Sequence, residues 1–309
     1  MSDTVIITEV SLRDGLQIEP VIVPTADKVA LAGQLIAAGF SQLEIGAFVN
    51  PAKVPTMADS DDVMRQLADS TAALHALVFN LKGAQRAVAS GNQHVRFVVS
   101  ASDGHSSANA GVPTDAALTR VEEAAEWLGE RGVRTEATIA TAFVCPFDGD
   151  TPISRVISTA DRLQRTGIEV LHLADTIGAA TPGDIRRTVS AVQAEFPELT
   201  LGLHLHNTYG MASASVWEGL ALGIRRFDAA LGGLGGCPFA PGAAGNIGAD
   251  DLVHFLHREG IDTGIDPDAL ATARRTLQGL VGHPLDSALS RGDKAPSRVR
   301  QLERAPVAV

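Results

Sequence analysis

Residues 168–206, IEVLHLADTIGAATPGDIRRTVSAVQAEFPELTLGLHLH, contain one whole strand–helix–strand unit. Ile168–Leu173 is a short apolar run, Pro182–Phe196 carries apolar residues at helical spacing, and Leu201–His206 is a second short apolar run. Two strands joined through a helix lie parallel in one sheet. The same alternation extends both ways along the chain. Candidate strands occupy Val5–Val10, Gln42–Ile45, Ala73–Phe79, Val95–Val99, Thr135–Ala142 and Arg226–Ala230. Candidate helices occupy Thr25–Ala38, Ala116–Arg131, Ser154–Thr166 and Ala212–Leu222, with Gly39, Gly132, Gly167 and Gly223 at helix ends, where a left-handed stop is expected. Eight such strands without a long linker predict an α/β fold, a closed (β/α)8 TIM barrel. An open doubly wound sheet is the alternative, but no G-x-G-x-x-G follows the first strand. Two extra C-terminal helices, Ala249–Arg258 and Pro267–Leu280, come after the barrel. The expected organisation is one barrel domain over 1–290 and a loosely ordered, Arg-rich tail over 291–309.

Composition narrows the partners. Hydrophobic residues make up 45% of the 309 and charged ones 20%, enough to bury a large core. A net charge of -11 with only 4% aromatics argues against nucleic acid. An acidic chain also needs a local basic pocket for any phosphate-bearing ligand. The two cysteines, Cys145 and Cys237, form no disulfide framework and no metal-ligand spacing, so a reducing compartment is expected. With no export leader and no apolar run long enough to span a bilayer, the expectation is a cytoplasmic protein without membrane association.

In a barrel of this kind chemistry sits at the C-terminal ends of the strands. The polar residues expected there are Arg13 and Asp14 after the first strand, Glu44 in the second, Asp175 after the sixth, His204 and His206 in the seventh, then Cys237 and Asn246. His204 and His206 are two apart on a strand, so both rings project from one face. Such a pair reads either as two hydrogen-bonded histidines or as two ligands of one ion. Asp14 and Asn246 favour the second reading, because a carboxylate, an amide oxygen and two imidazoles make a hard donor set suited to Mg²⁺ or Mn²⁺. The glycine-rich stretch Leu231–Gly242 reads either as a mobile loop delivering the Cys237 thiol or as a tight turn with an inert cysteine. Arg13 and Glu44 are either an oxyanion-stabilising pair or a structural ion pair. Asp175 is either catalytic or a cap, and His105 either points into the mouth or caps a turn.

Three stretches then carry a resemblance: Thr8–Gln17 (TEVSLRDGLQ), His204–Gly210 (HLHNTYG) and Gly233–Ala240 (GLGGCPFA) resemble the 3-hydroxy-3-methylglutaryl-CoA lyase family. Phe48–Pro51, Val54-Pro55 with Met57, Asn80–Gly83, Cys145–Phe147 and Asp175–Gly178 match in family order, so the likeness runs from residue 5 to about 265. It implies a metal-dependent barrel lyase, of a wider group that includes isopropylmalate and homocitrate synthases and the carboxyltransferase domain of pyruvate carboxylase. The resemblance implies a divalent cation, Mg²⁺ or Mn²⁺, on Asp14, His204, His206 and Asn246, and a catalytic set of Arg13, Cys237, His204, Glu44 and Asp175. Arg13 would stabilise the enolate oxygen of the leaving acetyl-CoA, Glu44 would orient Arg13, Cys237 would exchange a proton, and Asp175 would support the site. The implied substrate is an acyl-CoA, 3-hydroxy-3-methylglutaryl-CoA, cleaved to acetyl-CoA and acetoacetate, and the implied assembly is a homodimer.

Departures from the family pattern bear on the substrate. Ser11-Leu12 stands where Gly-Pro is usual, Ile18-Glu19-Pro20 where Asn-Glu-Lys is usual, and Asn207 where Asp is usual. The stretch Ser100–Gly111 also differs, and its His105 resembles a feature of the condensing synthases. Alternatives are therefore a lyase for a related tertiary alcohol such as citramalyl-CoA or a longer 3-hydroxyacyl-CoA, or a Claisen-type synthase. The short chain after the barrel favours cleavage. A non-catalytic acyl-CoA-binding barrel is opposed by the retention of the four ligands with Arg13 and Cys237.

Overall fold

The computed structural model describes residues 4–236 and 245–292. Eight parallel strands close into a barrel: β1 (Ile6–Glu9), β2 (Gln42–Ala47), β3 (Ala73–Val78), β4 (His94–Ser100), β5 (Arg134–Ala140), β6 (Val170–Asp175), β7 (Thr200–Leu205) and β8 (Arg226–Ala229). Each strand pairs with its neighbours in sequence, and β8 pairs with β1 through Ile6↔Arg226 to Glu9↔Ala229. The fold is thus the expected (β/α)8 barrel. Around it run α1 (Thr25–Ala37), α2 (Ser60–Gln66), α3 (Leu81–Ala89), α4 (Asp103–Ala110), α5 (Thr114–Gly129), α6 (Ile153–Gln164), α7 (Pro182–Glu195) and α8 (Ala212–Ala221). The additional helices α9 (Ala249–Arg258), α10 (Pro267–Val281) and α11 (Ala288–Gly292) follow, with α10 packed against α1. Among the described residues no helix is long and apolar enough to cross a membrane.

Sequence patterning passes over α2, α3 and α4 for physical reasons. The first two are short. The third, DGHSSANA, is built from weak helix formers, and it depends on Ser102, whose side chain caps it by accepting from His105 N at 3.2 Å.

Strand alternation sorts the side chains into two environments. Val95, Phe97 and Val99 of β4, Leu171 and Leu173 of β6 and Leu201, Leu203 and Leu205 of β7 are buried in the apolar layer. They share it with Leu31 and Leu35 of α1, Val121 and Leu128 of α5, Val156 and Leu163 of α6 and Val189 of α7. Each such side chain contributes about 1.5–3 kcal/mol on burial. The opposite set is polar. Arg96 on β4 donates to Asp228 on β8 at 2.6 Å, a contact between strands that are not neighbours and so one that crosses the barrel interior. Arg96 also donates to Glu136 at 2.9 Å and lies 3.1 Å from His172 Nε2. A barrel of this type usually fills its interior with Val, Ile and Leu. Here a polar column runs up the axis instead, and a Cβ at Gly202 would stand 2.7 Å from the His172 ring, so glycine makes the room.

Candidate metal centre

At the C-terminal end of β1 the chain makes a single π-helical turn, Ser11–Gly15, a geometry often found at functional sites. It presents Arg13 and Asp14 to the barrel mouth. Buried Glu9 anchors this turn, accepting from Ser11 N at 3.0 Å, from the Ser11 hydroxyl and from Leu231 N at 3.0 Å. Burial, only partly offset by the Ser11 and Leu231 donors, raises its pKa to about 7. The turn and the root of the glycine-rich stretch are thereby tied to one carboxyl.

From β7 come His204 and His206, their Nε2 atoms 3.3 Å apart. Asp14 Oδ2 is 3.6 Å from His206 Nε2 and 4.0 Å from His204 Nε2. One ligand atom from each of these three side chains lies within 4.8 Å of the others, a spacing compatible with one ion. Asn246 joins them on a segment stitched to the strand ends: it bridges His206, while Ile247 N donates to Leu205 O at 2.9 Å. Its Nδ2 donates to Asp14 Oδ2 at 2.6 Å, and its Oδ1 is buried with no hydrogen-bond partner. A carboxylate, two imidazoles and an unpartnered amide oxygen converging on one point fit a divalent cation.

The electrostatics favour the ligating forms. Burial pushes the Asp14 carboxyl up, but the Arg13 guanidinium, followed by His206 and His204, outweighs it and holds Asp14 well below the usual carboxylate range. Burial lowers His206 against the pull of Asp14, which leaves its ring neutral. His204 Nδ1 stands 3.1 Å from Asp228 Oδ2. Asp228 is ionised because Arg96, with His172 and His204, overcomes the effect of burial. A carboxylate only accepts, so Nδ1 carries the proton and Nε2 turns its lone pair to the site.

Arg13 bridges two acids: Nε donates to Glu44 Oε2 at 2.6 Å, and the guanidinium pairs with Asp14. Glu44 is fully buried on β2. Asp175 points elsewhere, accepting from Ala179 N and Ala180 N, each at 3.0 Å, so it holds the loop after β6. Burial, opposed by those amides, raises its pKa to about 6. Cys237 lies outside the described residues. Cys145 is buried, with Ser102 Oγ 2.9 Å from its sulfur.

A chamber of about 110 Å³ opens at the ligands, lined also by Arg13, His105 and Thr138. Gln17, Phe79, Val98 and Asn109 line both this chamber and a cavity of about 690 Å³ beside it. The larger cavity carries Lys53, Lys82, Arg86 and Arg120. Sequence reading touched these only through Lys82, inside the matched stretch Asn80–Gly83, although Lys82 and Arg86, one turn apart on α3, were a signal for one basic face. It also missed Asp228 and Arg96.

A model of the HMGL-like family matches residues 4–277. The chain is 40% identical to the (R)-citramalyl-CoA lyase of Chloroflexus aurantiacus, over 98% of this chain and 99% of that protein. It is 37% identical to a hydroxymethylglutaryl-CoA lyase of Bacillus subtilis, over 92% and 95%. Among solved structures, an HMG-CoA lyase from Acinetobacter baumannii in complex with coenzyme A and 3-methylmalate superposes with a TM-score of 0.90. That structure is 41% identical and is matched over 99% of this chain and all of that one.

Proposed function

The chain belongs to the HMGL-like family of metal-dependent barrel lyases, and from that premise we propose that it cleaves a tertiary 3-hydroxyacyl-CoA, with citramalyl-CoA ahead of 3-hydroxy-3-methylglutaryl-CoA. It is a carbon–carbon lyase acting on an acyl-CoA. The observation that carries the proposal is the pairing of the two cavities. The large basic one suits the phosphate-bearing handle of coenzyme A, which an acidic chain must attract locally. The small one holds the Asp14–His204–His206 cluster and takes the acyl group. The full-length match with a citramalyl-CoA lyase supports placing that substrate first.

Asp14, His204, His206 and Asn246 would hold the cation, and their hard donor set suits Mg²⁺ or Mn²⁺. When bound, that ion supplies Lewis acidity that makes the substrate hydroxyl easier to deprotonate. The bond between C2 and C3 of the acyl chain breaks, its electron pair passing into the thioester as an enolate while the carbinol becomes a ketone. The guanidinium of Arg13 stabilises the enolate oxygen, and Glu44 fixes that guanidinium. A proton then returns to C2, giving acetyl-CoA and pyruvate from citramalyl-CoA, or acetyl-CoA and acetoacetate from the longer homologue. Cys237 is the proposed proton carrier. Asp175 takes a supporting part, keeping the Thr176–Ala180 backbone in place.

Incubation with each thioester, with Mg²⁺ or Mn²⁺ and with a chelator, followed by mass spectrometry of the products, tests the proposal. Cation-dependent release of acetyl-CoA and pyruvate is expected. Turnover of neither thioester by metal-loaded protein would overturn it.

A further inference from the structure

The candidate cation site joins two parts of the chain that lie 232 residues apart, Asp14 on the turn after β1 and Asn246 beyond the glycine-rich stretch. Between them runs Leu231–Leu234, and it is tied to both. On one side, Leu231 N donates to Ser11 Oγ at 2.7 Å and to Glu9 Oε1 at 3.0 Å, while the Ser11 hydroxyl donates to the same Glu9 oxygen. Ser11 N donates to the other oxygen, Oε2, at 3.0 Å. Glu9 and Ser11 are wholly buried. Ser11 opens the π-helical turn that bears Asp14, and Gly15 N closes that turn on Val10 O at 3.2 Å.

On the other side, Leu234 O accepts from Asn246 Nδ2 at 3.1 Å. A carbonyl only accepts, so this contact fixes which end of the amide faces Leu234 and leaves Oδ1 for the cation. The backbone passes close to both ligands. A Cβ on Gly235, whose φ is +109°, would stand 2.7 Å from Asn246 Nδ2 and 3.2 Å from Asp14 O.

We propose that Glu9 and Ser11 are positioning residues for the cation site, a buried joint that sets Asp14 and Asn246 relative to each other through Leu231–Leu234. This rests on the reading of Asp14, His204, His206 and Asn246 as the ligands. Neither Glu9 nor Ser11 is itself a ligand; each acts on the backbone that carries one. Groups standing behind metal ligands set ligand orientation, and the affinity of a site depends on them. Ser11 is one of the departures from the family pattern, so its hydroxyl is this chain's own addition to the joint.

The test measures Mn²⁺ binding rather than turnover. Mn²⁺ is titrated calorimetrically into the full chain as wild type, Glu9→Gln, Ser11→Ala and Asn92→Ala, with urea unfolding of each. Both oxygens of Glu9 accept from a backbone N–H, so whichever way a glutamine amide turns there, its NH₂ meets a donor. Glu9→Gln should therefore weaken Mn²⁺ binding about 10–100-fold. Ser11→Ala keeps the contact between Leu231 and Glu9 and should weaken it about fivefold. Asn92 is buried just before β4, at the opposite end of the barrel, and accepts from His94 N at 3.0 Å. Asn92→Ala should lower the urea midpoint and leave Mn²⁺ affinity unchanged, which separates positioning from loss of stability. Unchanged affinity in either joint variant, an equal loss in Asn92→Ala, or wild type binding no Mn²⁺ would overturn the proposal. Should Glu9→Gln fail to fold, Ser11→Ala decides alone. If the affinity losses appear while no thioester is cleaved, the lyase reading fails and the joint stands.

Discussion

Among the described residues two histidine pairs stand inside this barrel, and one of them is joined by a carboxylate at a spacing compatible with one ion. His204 and His206 have ring centroids 5.3 Å apart, and His75 and His94 have theirs 4.9 Å apart. Spacing does not separate them; the surrounding charge does. The first pair faces the Asp14 carboxylate and the Asn246 amide. The second lies next to Arg96, whose positive charge, after burial, drives His75 well below its ordinary value. Glu136, 3.3 Å from His94, is the acid nearest that ring, but it is bound to Arg96. Any cation entering there would meet a guanidinium that cannot give up its proton.

The largest expected effect comes from removing the acid that distinguishes the upper pair. Asp14→Ala should lower turnover on the order of 10³-fold or more, abolish calorimetric Mn²⁺ binding and leave the circular dichroism spectrum unchanged; retained Mn²⁺ binding would remove Asp14 from the centre. Next is the residue that disqualifies the lower pair. Arg96→Met leaves Glu136 and Asp228 buried without their cation and should cost about 3–5 kcal/mol in urea unfolding. A loss below about 1 kcal/mol would mean that the histidines alone compensate those acids.

A subtler change tests the link between the two regions. Asp228→Asn should weaken Mn²⁺ binding about 10–100-fold with smaller change in stability than Arg96→Met, because the asparagine can no longer dictate which nitrogen of His204 carries the proton. Equal affinity in mutant and wild type would show that His204 is oriented without it. The smallest effect belongs to His75→Leu. Both ring nitrogens of His75 are buried without hydrogen-bond partners, so the substitution should leave Mn²⁺ affinity unchanged and the urea midpoint equal or higher.

The contrast also shows which parts of the molecule could be read from the chain. Strand and helix alternation is local, and so is the His204–His206 spacing on one strand; both sit in a few adjacent letters. Arg13 and Glu44 could be placed at strand ends once the barrel was inferred, and the structure brings them within 2.6 Å. The polar column was harder to see. Its signal was there, as polar residues alternate with apolar ones in His94-Val95-Arg96 and in Glu136-Ala137-Thr138. Its meaning depends on closure, because Arg96 and Asp228 are 132 residues apart and meet only across the finished barrel. The α4 helix was illegible for the opposite reason. Its own residues disfavour helix, and the clamp on Asp148 that stabilises it lies on another connection. For Asp175 the two readings could be separated only by seeing where the carboxylate goes, which is into the backbone of its own loop.

The Arg96–Glu136–Asp228 column constrains the order in which this sequence can drift. An apolar barrel interior is not readily reached by first losing the arginine, because Glu136 and Asp228 would then be buried without their guanidinium counter-charge. One acid must be neutralised beforehand, Glu136 more readily than Asp228, since Asp228 also serves His204. The three positions should therefore change in correlated steps across descendants, with Asp228 the last to go.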